Sequence, residues 1–211
     1  MKLGKPTASC YNRVMCSRFE VNVRPRDLAR RFGLDDLPAG FTSGEVRPTD
    51  PALVITADGP RVMNFGLNVD WDLKPLINAR AETLAEKPTF RPLLESRCLV
   101  PASAYFEWRR DHGRRLKNRI APQAGGIMAF AGLHDGGRFA IVTCAPAANI
   151  QHIHNRMPVA LTPEGETAWS DSARRYQDLA QLLVPAATAP LGFEEEVPPP
   201  PDQPDLFSDL A

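Results

Sequence analysis

The sequence predicts a single α+β domain with a mostly antiparallel, mixed β-sheet core and peripheral helices. Three observations carry this. Short apolar runs bounded by Gly, Pro and Asp turns dominate the middle of the chain. Helical periodicity is confined to brief stretches, and no internal repeat is present. At 211 residues with 43% hydrophobic side chains, the chain is long enough to bury a core without metal or disulfide staples.

Residues 1–15 show no periodicity and read as a leader, removed or preceding the true start. Residues 19–23 read as a short strand. Pro25 opens a helix to about Phe32, where proline suits the first turn, and Gly33 ends it. Ala52 to Thr56 and Arg61 to Leu67 read as strands joined by the Asp58-Gly59-Pro60 turn. Ala79 to Glu86 and Phe90 to Arg97 read as helices separated by Pro88. Leu99 to Trp108 is extended, with an interruption at Pro101. Ile127 to Leu133 and Phe139 to Cys144 make the clearest hairpin, turning at Asp135-Gly136-Gly137. Pro158 to Leu161 is a further strand. Thr162 and Pro163 supply a cap and first turn for a helix, and Ala173 to Leu183 is amphipathic. The domain is expected to span residues 16–190. Residues 191–211 are acidic and Pro-rich, a composition that predicts a disordered tail.

Net charge is formally zero, but its distribution is uneven. The last 21 residues hold six carboxylates and no Lys or Arg, which leaves 25 basic against 19 acidic side chains elsewhere, a body of +6. A cationic body with an acidic tail suits a phosphate-binding domain. There is no apolar run of 18 residues, so no membrane span is expected, and no secretory h-region. The four cysteines, Cys10, Cys16, Cys98 and Cys144, form no CxxC pair, which points to free thiols in a reducing cytoplasm. His152 and His154 have no thiol or carboxylate close in sequence, so neither a metal nor another cofactor is expected.

The reactive candidate is Cys16, directly after Met15. A chain beginning at Cys16 carries an α-amine beside the thiol. Such a 1,2-aminothiol forms an imine with an aldehyde and then closes a thiazolidine ring. With a pKa of about 7.7–8.0, the amine is partly nucleophilic at neutral pH, and ring closure is intramolecular. Three further stretches carry chemistry. Asn78, Arg80 and Glu82 alternate an amide, a guanidinium and a carboxylate. Glu107 is a lone carboxylate between Phe106 and Trp108, where desolvation favours acid–base work. His154 precedes Arg156 by two residues. Taken singly, each also fits a turn residue, a solvated charge or a structural histidine.

Together these motifs resemble the SOS response-associated peptidase (SRAP) family. The resemblance is carried, in order, by Met15-Cys16-Ser17-Arg18-Phe19, the Arg47-Pro48-Thr49 turn, Asn78 to Thr83, Leu99 to Trp108 and His154 to Pro158, over about residues 15–185. It implies an SRAP-like fold, binding to single-stranded DNA, and a covalent crosslink to abasic sites through an N-terminal cysteine exposed by autoproteolysis. On this resemblance Cys16 is the nucleophile, Asn78 orients the adduct, Glu107 moves protons at the amine, and His154 shuttles a proton at the sugar oxygen. Arg80, Arg156 and Arg18 hold flanking phosphates, and Trp71, ahead of Phe65 because the latter sits in an apolar strand, is the ring expected to stack on a neighbouring base. AP lyase activity by β-elimination is a side reaction where the imine is not trapped. The chain departs from the family in the residues before Met15, in Ser17 where glycine is common, and in Phe65 where tryptophan is common. The same residue types also allow a cysteine peptidase acting on other proteins, with Cys16, His154 and Asn78, or a non-catalytic module joining single strands to a clamp. The tail contributes Gln203, Leu206 and Phe207, which resemble the short peptide by which bacterial proteins dock on the replicative sliding clamp. A DNA-bound protein of this kind is expected in the cytoplasm, at the nucleoid.

Overall fold

A computed structural model describes residues 17–185 and 190–197. The expected leader, Cys16 and the Gln203, Leu206 and Phe207 motif lie outside the described residues. In chain order the elements are β1 (Arg18–Val21), α1 (Pro25–Arg31), β2 (Gly44–Val46), β3 (Pro51–Thr56), β4 (Gly59–Phe65), β5 (Leu67–Val69), β6 (Asp72–Leu76) and β7 (Asn78–Arg80). They continue with β8 (Arg97–Ala102), β9 (Ala104–Asp111), β10 (Arg114–Pro122), β11 (Met128–His134), β12 (Arg138–Cys144) and β13 (Met157–Pro158). Last come α2 (Pro163–Ser170), α3 (Tyr176–Leu179) and β14 (Leu191–Glu195). This is the mixed α+β architecture expected from the sequence.

Strands dominate because buried and open positions alternate along them or, where both faces are covered, apolar side chains run continuously, as in β3, β8 and β12. One sheet runs β11-β8-β3-β4-β12, and β11 also pairs with β12, so it closes into a barrel with no free edge along that circuit. The far half of β12 is extended by β7, parallel, on one side and by β13, antiparallel, on the other. The second sheet is antiparallel, in the order β14-β10-β9-β1-β2. The chain passes from barrel to sheet at Ser103, whose amide and hydroxyl both donate to the Glu20 carbonyl. The break in the long extended run is therefore at Ser103, while Pro101 stays inside β8 opposite Ala129. Phe19 of the second sheet packs edge-on against Phe65 of the barrel at 5.4 Å, and Phe65 stacks on Phe139 at 5.2 Å. All three rings are fully buried and tie the two sheets together.

The capping expected at Thr162 is present: its Oγ1 accepts from the Gly165 amide at 3.0 Å. Three expectations are corrected. Ala79 to Glu86 is not a helix: β7 runs into a 3₁₀ turn at Ala81–Thr83, because Ala79 is buried while Arg80 is exposed and the period is two. Phe90 to Arg97 is likewise a 3₁₀ turn at Arg91–Leu93 leading straight into β8, since Pro88 and Pro92 leave too little room for a regular helix. Residues 191–195, expected in the disordered tail, form β14 on the edge of the second sheet, paired from Leu191 opposite Pro122 to Glu195 opposite Asn118. Glu194, Glu195 and Glu196 thus belong to the body, and residues 16–197 hold 22 basic and 22 acidic side chains, so the expected cationic excess is not carried by the body.

Candidate active site

Glu107 sits in mid-strand on β9, 2% exposed, on the face that carries Tyr105 and Arg109. The loop after β12 brings His154 to it from the barrel side, with Nδ1 3.8 Å from Glu107 Oε1. That nitrogen also accepts the Arg156 amide at 3.2 Å and lies 3.4 Å from the Arg156 carbonyl. A neutral ring is therefore held by the N–H, and a protonated ring has the carbonyl and the Glu107 carboxylate to turn to. Both charge states of His154 have a partner, which suits proton exchange.

Arg156 is 12% exposed, and its guanidinium is already engaged. It grips Glu82 bidentately, at 2.5 and 2.7 Å, and donates to the Thr143 carbonyl. The guanidinium holds the Glu82 carboxyl below the usual carboxylate range. Asn78 and Arg80 lie on β7, in register with Ile141 and Thr143 of β12. As i and i+2 residues of a strand they share one face, which a helix would not allow. Arg80 is exposed. Asn78, Arg80, Glu82, Thr143, His154 and Arg156 thus gather around the end of β12, with Glu107 reaching in from the second sheet.

Arg18 stands apart from this cluster, on the outer face of the second sheet. It pairs with Glu45 at 2.9 Å and lies 5.4 Å from the Trp108 ring centroid, with Arg115 at the same distance from that ring. Trp71 is 68% exposed on the β5–β6 ribbon, beside the fully exposed Leu73. Phe65 is buried. Sequence reasoning gave no role to Glu82 or Thr143, because their link to Arg156 joins residues 74 and 13 apart in sequence. It also missed Trp108 as the plate between two guanidiniums.

The other described thiols are sealed off. Cys98 and Cys144 are free and buried, and burial pushes the Cys144 pKa up to about 11 and that of Cys98 higher still. Among the described residues no group of three His, Cys, Asp or Glu side chains is placed to hold a metal ion. Among the same residues no helix is long and apolar enough to cross a membrane.

A barrel and a flanking antiparallel sheet, with a carboxylate–imidazole pair buried where they meet, define a two-sheet protein with its candidate site between the sheets. The family model described as SOS response associated peptidase (SRAP) matches residues 15–195. The chain is 36% identical over 193 residues to the abasic site processing protein YoqW of Bacillus subtilis (81% of this chain, 86% of the relative). It is 35% identical over 195 residues to YobE of the same organism, which carries the same description (81% and 88%). Among solved structures it is similar to a protein from Bacteroides thetaiotaomicron, with TM-score 0.73 and 26% identity over 85% of this chain and 91% of that one. A Bordetella bronchiseptica protein shares the fold at TM-score 0.72 and 19% identity, covering 86% of this chain and 100% of that one. The chain belongs to the SRAP family.

Proposed function

We propose that this protein processes abasic sites in single-stranded DNA, bonding to the damaged sugar through Cys16. The relatives named for abasic-site processing support the reaction class. The observation that carries the mechanism is the buried Glu107–His154 pair, on elements that meet where the chain enters β1. Arg18 pairs opposite Phe106, the residue before Glu107, and Ser17, next before Arg18, is bonded to residue 16. Cys16 is thus two residues before Arg18 in the sequence, whereas the two sealed thiols have neither access nor thiolate character.

The chemistry follows from an amine meeting an aldehyde. The Cys16 amine attacks C1′ of the ring-opened sugar, Glu107 takes the amine proton, and His154 protonates the oxygen. The carbinolamine loses water to an imine. The Cys16 thiol then adds to the imine carbon, its proton passing to nitrogen, and the thiazolidine is complete. Asn78 orients the adduct. The Cys16 thiol takes the Met15 acyl group as a thioester while its proton passes to the nitrogen, and water then releases the Met15 carboxylate and restores the thiol, which frees the amine; an untrapped imine leads to β-elimination. Arg80 and Arg18 take flanking phosphates, Arg156 does so in exchange for Glu82, and Trp71 offers a ring to a neighbouring base. The Gln203, Leu206 and Phe207 segment docks on the sliding clamp and raises the local concentration of the domain at replicating DNA.

The test uses protein beginning at Cys16 and an abasic single-stranded oligonucleotide, read on a denaturing gel. A shifted covalent band is expected, lost in Cys16→Ala and lost when the α-amine is acetylated. Equal crosslinking by the acetylated protein would rule out the amine as nucleophile.

A further inference from the structure

Asn118 lies in the middle of β10, 0% exposed, directly across from Glu107 on one side and Glu195 on the other. Facing residues on paired strands put their side chains on one face, with Cβ atoms about 4.5–5.5 Å apart. The Asn118 Nδ2 donates to the Leu116 carbonyl at 3.0 Å and to Glu195 Oε2 at 3.3 Å. Both partners are pure acceptors, so they fix which end of the amide is nitrogen. With Nδ2 turned to β14, the planar amide turns Oδ1 to the β9 side, where Glu107 stands. That oxygen is buried, with no hydrogen-bond donor among the described residues. A buried acceptor left unpaired is costly, and an apolar residue at this position would avoid the cost. A carboxylate has no hydrogen to offer it, whereas a carboxylic acid has one.

We infer that Asn118 is a positioning residue for Glu107, whose Oδ1 accepts the O–H of the Glu107 acid during the step in which that carboxyl carries the amine's proton. This rests on the reading of Glu107 as the acid–base group. As the C–N bond forms, one N–H proton passes to a Glu107 oxygen, and its O–H then points to Asn118 Oδ1. When the carbinolamine collapses, the proton goes to the departing hydroxyl, which leaves as water, the remaining N–H proton returns to His154 to leave the imine, and Glu107 is a carboxylate again. The groups facing Glu107 among the described residues include His154 from the loop after β12, Arg109 on its own strand, and Asn118 with Glu195 behind it. Arg109 foremost, through its hydrogen bond, holds Glu195 below the ordinary carboxylate range. Glu195 therefore stays ionised, and remains an acceptor for Nδ2, throughout the neutral range.

The experiment is a ¹³C NMR titration of the Glu107 carboxyl carbon in protein beginning at Cys16 and running to Ala211, with crosslinking rates in parallel. Asn118→Ala is expected to move the Glu107 midpoint down by about one pH unit and to slow crosslinking about tenfold, the loss of one hydrogen bond to the acid form. Asn118→Asp is expected to move the midpoint up, because a second carboxylate opposes ionisation. A merely structural role would leave the Asn118→Ala midpoint at the wild-type value, and coincident midpoints in wild type and Asn118→Ala would overturn the inference. If Asn118→Ala does not fold, Asn118→Leu, which keeps the volume and removes the amide oxygen, decides by the same downward shift. Wild-type crosslinking by Glu107→Gln would instead sink the acid–base reading, whatever the midpoints show.

Discussion

Arg156 shows how much a single residue's surroundings alter its meaning. Two residues from His154 in sequence, it reads as a phosphate grip; in the fold its Nη atoms are occupied by Glu82, a carboxylate that stands where a phosphate's oxygens would fit. Glu82 is half exposed, so a strand of DNA can compete for the guanidinium. Glu82→Gln should therefore tighten binding to an unmodified single-stranded oligonucleotide severalfold, and steepen log K against log salt by about 0.7. Unchanged affinity and slope would make Arg156 a brace only. The pair also has a pH signature. Because Glu82 titrates lower in the folded chain than in the unfolded one, its contribution to stability is full above the unfolded value of about 4.5. It is lost as pH falls through the folded value. Urea unfolding of wild type and Glu82→Gln should thus converge in acid. That Asn78, Glu107 and His154 belong to one region was legible from their types at family spacing, and the fold brings His154 to Glu107. Asn118 was not, because only strand pairing reveals that it faces Glu107.

At the scale of elements, the hairpins and capped helices were readable because their signals are local: a Gly-Gly turn at residues 136–137, a Thr-Pro cap at 162–163. The misread segments are those whose conformation is imposed from outside. The β7 strand exists because β12 offers it a parallel edge, and its three residues carry no pattern long enough to announce a strand. The β10 strand, Arg- and Lys-rich on its outer face, hides its inward alternation of Leu116, Asn118 and Ile120. What joins the two sheets was visible only as scattered phenylalanines. Removing the central ring tests that joint: Phe65→Ala should cost about 3–5 kcal/mol in chemical denaturation, since Phe19 and Phe139 both lose their partner. A cost below about 1.5 kcal/mol, the range of a volume-conserving swap, would show that the sheets hold together without it.

For the molecule as a whole, the second sheet runs on through β14, past the boundary at residue 190 that composition predicts. This strand completes the second sheet, receives a hydrogen bond from Asn149 to the Leu191 carbonyl at 2.6 Å, and sets Phe193 against His152 at 4.9 Å. It thereby fastens the loop that carries His154. Protein truncated after Val197 should melt with the full chain, whereas truncation before Leu191 should lower Tm by several degrees and slow crosslinking. Equal melting of both forms would show that β14 adds nothing to the fold. The order of pairing has a temporal corollary. β1 emerges from the ribosome some ninety residues before its partner β9, and the β14 tether of the His154 loop follows later still. A nascent chain therefore carries β1 with that edge unpaired, and the His154 loop unfastened, until the later strands emerge.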